Sequence, residues 1–139
     1  MILLDTSGLL AWIDAGQRRH ADVAAAMAVC TPPFVLSPFV LAEIDYLLAE
    51  RVGPAAERAL LAEVEDGAFE LAAFDAGDIG AARRVIERYA DLRIGLADAS
   101  LVVLSERYRS LALLSLDERH FRTLRGYRGR HFDLVPGTP

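Results

Sequence analysis

Five apolar runs punctuate this 139-residue chain, and most are continuous rather than alternating. Met1–Leu4, Phe34–Ser37, Phe69–Phe74, Leu111–Leu116 and His131–Val135 read as short strands. A strand with one wet face alternates apolar and polar residues; a strand without alternation is buried on both faces, the condition of a parallel sheet covered by helices. The segments between the runs carry helical spacing. One helix starts at Thr6 or Ser7 and runs to about Asp14, and a second spans Arg18–Val29. A third covers Pro38–Val52, with Pro38 suited to a first turn and Gly53 to a stop. Pro54 opens a fourth, with Ala56, Leu60, Leu61 and Val64 on one face and Gly67 at its end. Ile79, Ala82, Ile86 and Tyr89 mark a fifth over Asp75–Ala90. Leu96–Tyr108 is apolar nearly all round and predicts a buried helix; Asp117–Leu124 is short and cationic. The pattern predicts one α/β domain over residues 1–139: a central, mostly parallel sheet of about five short strands, flanked by helices on both faces.

Composition narrows the class. With 53% apolar and 25% charged residues the chain reads as a compact globule, and no apolar run approaches the roughly 18 residues a membrane span needs. The N-terminus has no basic leader and meets a charge at Asp5, unlike a signal peptide. A single cysteine, Cys30, offers no internal disulfide and reads as filler at a helix end, so the expected compartment is the cytoplasm. The net charge of −5 argues against nucleic acid, but it is unevenly spread. Residues 1–106 hold 8 arginines against 17 acids, whereas residues 107–131 hold 7 arginines against 2 acids, with His120 and His131 added. There is no lysine, which excludes a Walker-type phosphate loop and any Schiff-base mechanism.

Four carboxylates stand where packed segments favour hydrophobes. Asp5 closes Ile-Leu-Leu, Glu43 interrupts Phe-Val-Leu-Ala-Glu-Ile, Asp98 opens the apolar helix, and Asp117 ends Leu-Ala-Leu-Leu-Ser-Leu. Each has an ordinary reading. Asp5 serves as a strand-end turn residue, Glu43 as the partner of an arginine, Asp98 as a match to the helix dipole, and Asp117 as an N-cap. Together they would be prohibitive without a cation, and hard oxygen donors suit Mg²⁺ or Mn²⁺. Parallel sheets hold ligands beyond the carboxyl ends of their strands, which sends Asp5 and Asp117 to one edge. Val40, Glu43, Ile44 and Leu47 share one helix stripe, making Glu43 a buried glutamate, with Asp45 and Glu50 solvated.

Thr6 and Ser7 are supporting candidates, Ser7 holding the Asp5 carboxylate or a bound water and Thr6 capping the first helix. His20, His120 and His131 lack zinc spacing and read as surface residues; Trp12, Phe39 and Phe121 read as core. Arg119, Arg122 and Arg125, with Arg128 and Arg130, form either an exposed cationic face or a clamp on a phosphate backbone.

Four segments carry a family resemblance: Leu-Leu-Asp5-Thr-Ser, Ser-Pro-Phe-Val-Leu-Ala-Glu43, Arg-Ile-Gly-Leu-Ala-Asp98-Ala-Ser and Leu-Ser-Leu-Asp117-Glu-Arg-His-Phe. In order and spacing the chain resembles a PIN domain over essentially its whole length, and most closely a VapC-type toxin, with no departure in the acidic set. The resemblance implies a Mg²⁺- or Mn²⁺-dependent endoribonuclease whose centre is Asp5, Glu43, Asp98 and Asp117, leaving a 5′-phosphate and a 3′-hydroxyl. It also implies structured RNA substrates (tRNA or rRNA), a homodimer and a VapB-like antitoxin that blocks the site. A haloacid-dehalogenase-like phosphatase would need an acid where Ser7 stands, and it and a receiver domain would both need a lysine. Asp-Thr-Ser-Gly-Leu-Leu is no dinucleotide-binding turn. A housekeeping RNA-processing nuclease and a non-catalytic RNA- or protein-binding module remain as alternatives.

Overall fold

The computed structural model describes residues 1–137. Its five strands are β1 (Ile2–Leu4), β2 (Phe34–Leu36), β3 (Glu70–Leu71), β4 (Ala112–Leu114) and β5 (Asp133–Val135), all parallel in the order β3-β2-β1-β4-β5. Leu3 pairs with Val35 on one side and Leu113 on the other, so β1 is the central strand. Ile2, Leu3, Leu4, Val35, Leu36, Leu113 and Leu114 are buried, as expected for strands covered on both faces.

Seven helices connect the strands: α1 (Thr6–Ile13), α2 (His20–Ala28), α3 (Pro38–Arg51), α4 (Pro54–Glu65), α5 (Ala76–Arg88), α6 (Leu96–Tyr108) and α7 (Glu118–Phe121). The chain steps from β1 to β2 to β3, then returns across the sheet to β4 and β5. Right-handed crossovers put the connections of the first leg on one face and those of the second on the other. Packing agrees: α1 lies against α2 and α3, α3 against α4, and α5 against α6. The direction reverses between β1 and β4, and their carboxyl ends open into the crevice where such sheets hold ligands.

Local chemistry sets the helix ends. Ser37 accepts from Phe39 N at 3.2 Å and Pro38 fills the first turn of α3. Asp75 and Asp78 form a reciprocal capping box on α5. α6 buries Ala97, Ala99, Ser100, Leu101, Val102, Leu104 and Ser105, the nearly continuous coverage its composition requires. The aromatic expectations hold, with Trp12, Phe39 and Phe121 in edge-to-face pairs with Phe34, Phe74 and Phe132.

Two expectations need correction. The Phe69–Phe74 run contributes only Glu70–Leu71 to the sheet, with both residues exposed, because an edge strand has a partner on one side alone. In α4 only Leu60 is buried; Leu61 remains 41% exposed, since this helix meets the core through one narrow line.

Candidate active site

The site grows from the β1–β4 junction. The Asp5 amide donates to Leu114 O at 2.9 Å, fixing the last residue of the β1 run against the end of β4. Two hydroxyls then lock the loops together. Ser7 Oγ donates to Asp5 Oδ2 at 2.8 Å and accepts from Leu116 N at 3.0 Å. Ser115 Oγ donates to the same oxygen at 2.7 Å and accepts from Asp117 N at 3.0 Å. Each hydroxyl commits its single proton to Asp5 and a lone pair to a backbone amide just past β4, so Ser7 reaches across to the β4 end and Ser115 back to Asp5. Asp5 is buried at 4% exposure, and burial pushes its carboxyl above the ordinary range; the bonds from Ser115, Ser7 and the Thr6 backbone pull back, and the Asp117 charge adds to the rise.

Asp98 enters from the first turn of α6. That turn is held by a hydroxyl chain: Ser100 Oγ donates to Ala97 O at 2.6 Å, so the Ser37 hydroxyl, 2.7 Å away, donates to Ser100. The Asp98 carboxyl is pushed up to about 6, chiefly by burial, then by the charge of Asp5; His120 opposes the rise and Asp117 adds to it. Asp117 caps α7 by accepting from His120 N at 3.1 Å. The His120 ring swings back over both acids, with Nδ1 2.9 Å from Asp98 Oδ2 and 3.0 Å from Asp117 Oδ2.

One ligand atom each from Asp98, Asp117 and His120 lies within 4.8 Å of the others, and the field of Asp5 is felt at Asp98. Glu43 stands at the rim and accepts from Thr6 Oγ1 at 2.6 Å. The shared cleft has a volume of about 430 Å³. α1 and the turn after it contribute Thr6, Leu10 and Gln17 to its lining and α3 contributes Glu43, Leu47 and Arg51, together with Asp5, Asp98, Asp117 and His120. Among the described residues, no arginine forms an ion pair with any of the four carboxylates. Several carboxylates and an imidazole, desolvated and lacking a permanent counter-charge, suit a hard divalent ion.

The four acids expected from the sequence thus line one cleft, but Glu43 is not buried. Val40, Ile44 and Leu48 form the inward line of α3, and Glu43 lies beside it, exposed. Asp45 is not solvated: it is half-buried, Oδ1 has no donor, and the adjacent Glu57 of α4 has its carboxyl raised mainly by hydrogen bonding to Asp45. His120 is a site residue rather than a surface one, and His20 bonds Ala11 O at 2.8 Å. His120 was within reach of the sequence, because a residue three past Asp117 on a helical turn shares its face. Ser115, Gln17 and Arg51 left no such local sign. Arg119, Arg122 and Arg125 are exposed and outside the cleft lining; Arg122 pairs with Glu118 at 3.3 Å.

Residues 2–126 match the PIN domain family. The chain is 47% identical over 135 residues to Ribonuclease VapC26 of Mycobacterium tuberculosis, covering 97% of this chain and all of that protein. Among solved structures, VapC20 of the same organism, described as a sarcin–ricin loop cleaving toxin, superposes with a TM-score of 0.79 at 23% identity, over 85% of this chain and 91% of that one. None of the described helices is long and apolar enough to cross a membrane. An all-parallel five-stranded sheet, acids gathered at its switch point and a near-full-length match agree: this chain belongs to the PIN-domain family, within its VapC ribonucleases.

Proposed function

We propose that this chain is the toxin of a type II toxin–antitoxin pair, an endoribonuclease that hydrolyses a phosphodiester of structured RNA and is held inactive by a VapB-like antitoxin. The observation that carries the reading is the convergence of Asp5, Asp98 and Asp117 in a cleft where no arginine neutralises them. The resident ion is Mg²⁺, with Mn²⁺ as the alternative, held by Asp5, Asp98 and Asp117, with Glu43 acting from the rim. Once bound, such an ion lowers the pKa of a water and offsets the charge on the reacting phosphate. The protein positions and shields this chemistry. Ser7 and Ser115 fix the Asp5 carboxylate, and Thr6 restrains Glu43. His120 orients Asp98 and Asp117, while Leu10, Leu47 and Leu116 dry the cleft walls. The VapC relationship supports extending this reading to RNA substrates of the tRNA or rRNA class and to a homodimeric, cytoplasmic toxin.

Purified protein should cleave folded RNA with Mg²⁺ or Mn²⁺ and lose that activity with EDTA, Asp5→Asn or Asp98→Asn. Cleavage indifferent to all three would falsify the reading. Induction of the chain alone should arrest growth, and a co-expressed cognate partner should relieve the arrest; abundant, folded and harmless protein speaks against the toxin role. The alternative of a non-catalytic module paired with arginine has no support in the ion pairs formed among the described residues.

A further inference from the structure

We propose that Arg51 binds a phosphate of the RNA strand adjacent to the one cleaved, giving the acidic cleft a second anion subsite. The proposal rests on the nuclease reading and adds a binding residue to it. Glu43, Leu47 and Arg51 follow one another at four-residue intervals along α3, and all three line the cleft. Four-residue intervals keep side chains on one face, and eight residues span about 12 Å of helix axis. Arg51 is thereby set about two turns along α3 from Glu43, with apolar Leu47 between.

Only four arginines form ion pairs among the described residues, so what sets the exposed Arg51 apart is not the lack of one but its place in the acidic cleft. Arg19, Arg83, Arg107 and Arg122 each hold a carboxylate within 3.3 Å. Arg51 has no ion pair or hydrogen bond among the described residues, although it shares a cleft with four acids. It is the one arginine of that lining among the described residues; Arg119, Arg122 and Arg125 lie outside it. An RNA strand entering this cleft meets like charge. A divalent ion can offset the reacting phosphate, but the next phosphate needs its own cation, and a guanidinium offers a fork matched to phosphate oxygens. Gln17, also in the lining, is held by its Nε2 bond to Asp14 Oδ2 at 2.9 Å, a fixed polar group in the same cleft. Arg51 also occupies the last turn of α3, where a cation complements the helix dipole. That role predicts an effect on stability alone and is separable by experiment.

The test uses a stem-loop RNA spanning a site that the wild-type chain cuts, with Mn²⁺ present. Arg51→Ala should raise KM about tenfold, the value of one charge-assisted contact, and far more than it lowers kcat. Arg51→Lys should recover part of the loss. The salt dependence of binding, measured by anisotropy in an Asp98→Asn background, should fall by roughly one phosphate contact. A single methylphosphonate beside the scissile linkage should penalise the wild type and leave Arg51→Ala unaffected. Because the scan can be read on the wild type, misfolding of a variant does not remove the test. Unchanged KM and salt slope in a folded Arg51→Ala protein overturn the proposal while leaving the nuclease reading intact. So does a methylphosphonate scan with no sensitive neighbour, or a variant that loses only inhibition by an antitoxin, which would assign Arg51 to a protein interface. A wild-type chain that cuts no RNA with either metal overturns both.

Discussion

At the scale of single residues, the cleft stores charge that folding disfavours. The Asp98 carboxyl stands near 6 against an ordinary 3.8, so between those values the folded chain binds more protons than the unfolded one. Stability of the metal-free protein should therefore fall as pH rises from about 4 to about 6 and then level off, as read from urea midpoints across that range. Asp98→Asn should stabilise the metal-free protein at pH 7.5 by on the order of 2 kcal/mol while abolishing cleavage, a trade separating folding from catalysis. His120 opposes the rise at Asp98, so His120→Ala should push that carboxyl above about 6. Mn²⁺ binding, followed by calorimetry against pH, should then shift its midpoint upward. Asp5 and Asp117 were legible at this scale because each ends an apolar run. His120 was missed because zinc spacing was the criterion, whereas its partners are Asp98 and Asp117.

At the scale of elements, α1 and β4 meet without spare room. A Cβ added at Gly8 would lie 2.6 Å from Leu114 Cγ and 2.7 Å from Leu114 O. Gly8→Ala should destabilise the fold by about 1–3 kcal/mol despite alanine's better helix propensity, and it should lower cleavage by displacing Thr6 and Ser7. Thermal melts and RNA turnover of the same preparation check both. Ser115→Ala removes one donor to Asp5 and the acceptor for Asp117 N, and buried bonds of this kind are worth about 1–3 kcal/mol. Denaturant unfolding should register that loss together with weakened metal binding. The order of elements was readable from apolar runs and spacing. The rim position of Glu43 was not, because helix periodicity gives a face but not how deeply it sits on the sheet. Asp45 was misjudged because its surroundings are completed by Glu57 on the next helix, a contact no local pattern contains.

At the scale of the whole molecule, an acidic body of net charge −5 is asked to hold a polyanion. A divalent ion in the cleft should raise the melting temperature at pH 7.5, an increase that follows ion concentration and is lost in Asp98→Asn. No change in melting at millimolar Mg²⁺ or Mn²⁺ would leave the acids without their counter-charge. The arginine-rich stretch 107–131 was visible in the sequence, but the direction in which its side chains face was not; the cleft draws its arginine from α3 instead.

The pairing of β1 with β4 has a temporal meaning. Asp5 and Ser115 are separated by 110 residues of chain, so a ribosome makes Asp5 well before Ser115, Asp117 and His120, and the two groups meet only when β4 docks beside β1. A nascent chain that has not yet extruded β4 and α7 lacks Asp117 and His120, so competence to cut RNA arrives only once that segment has emerged.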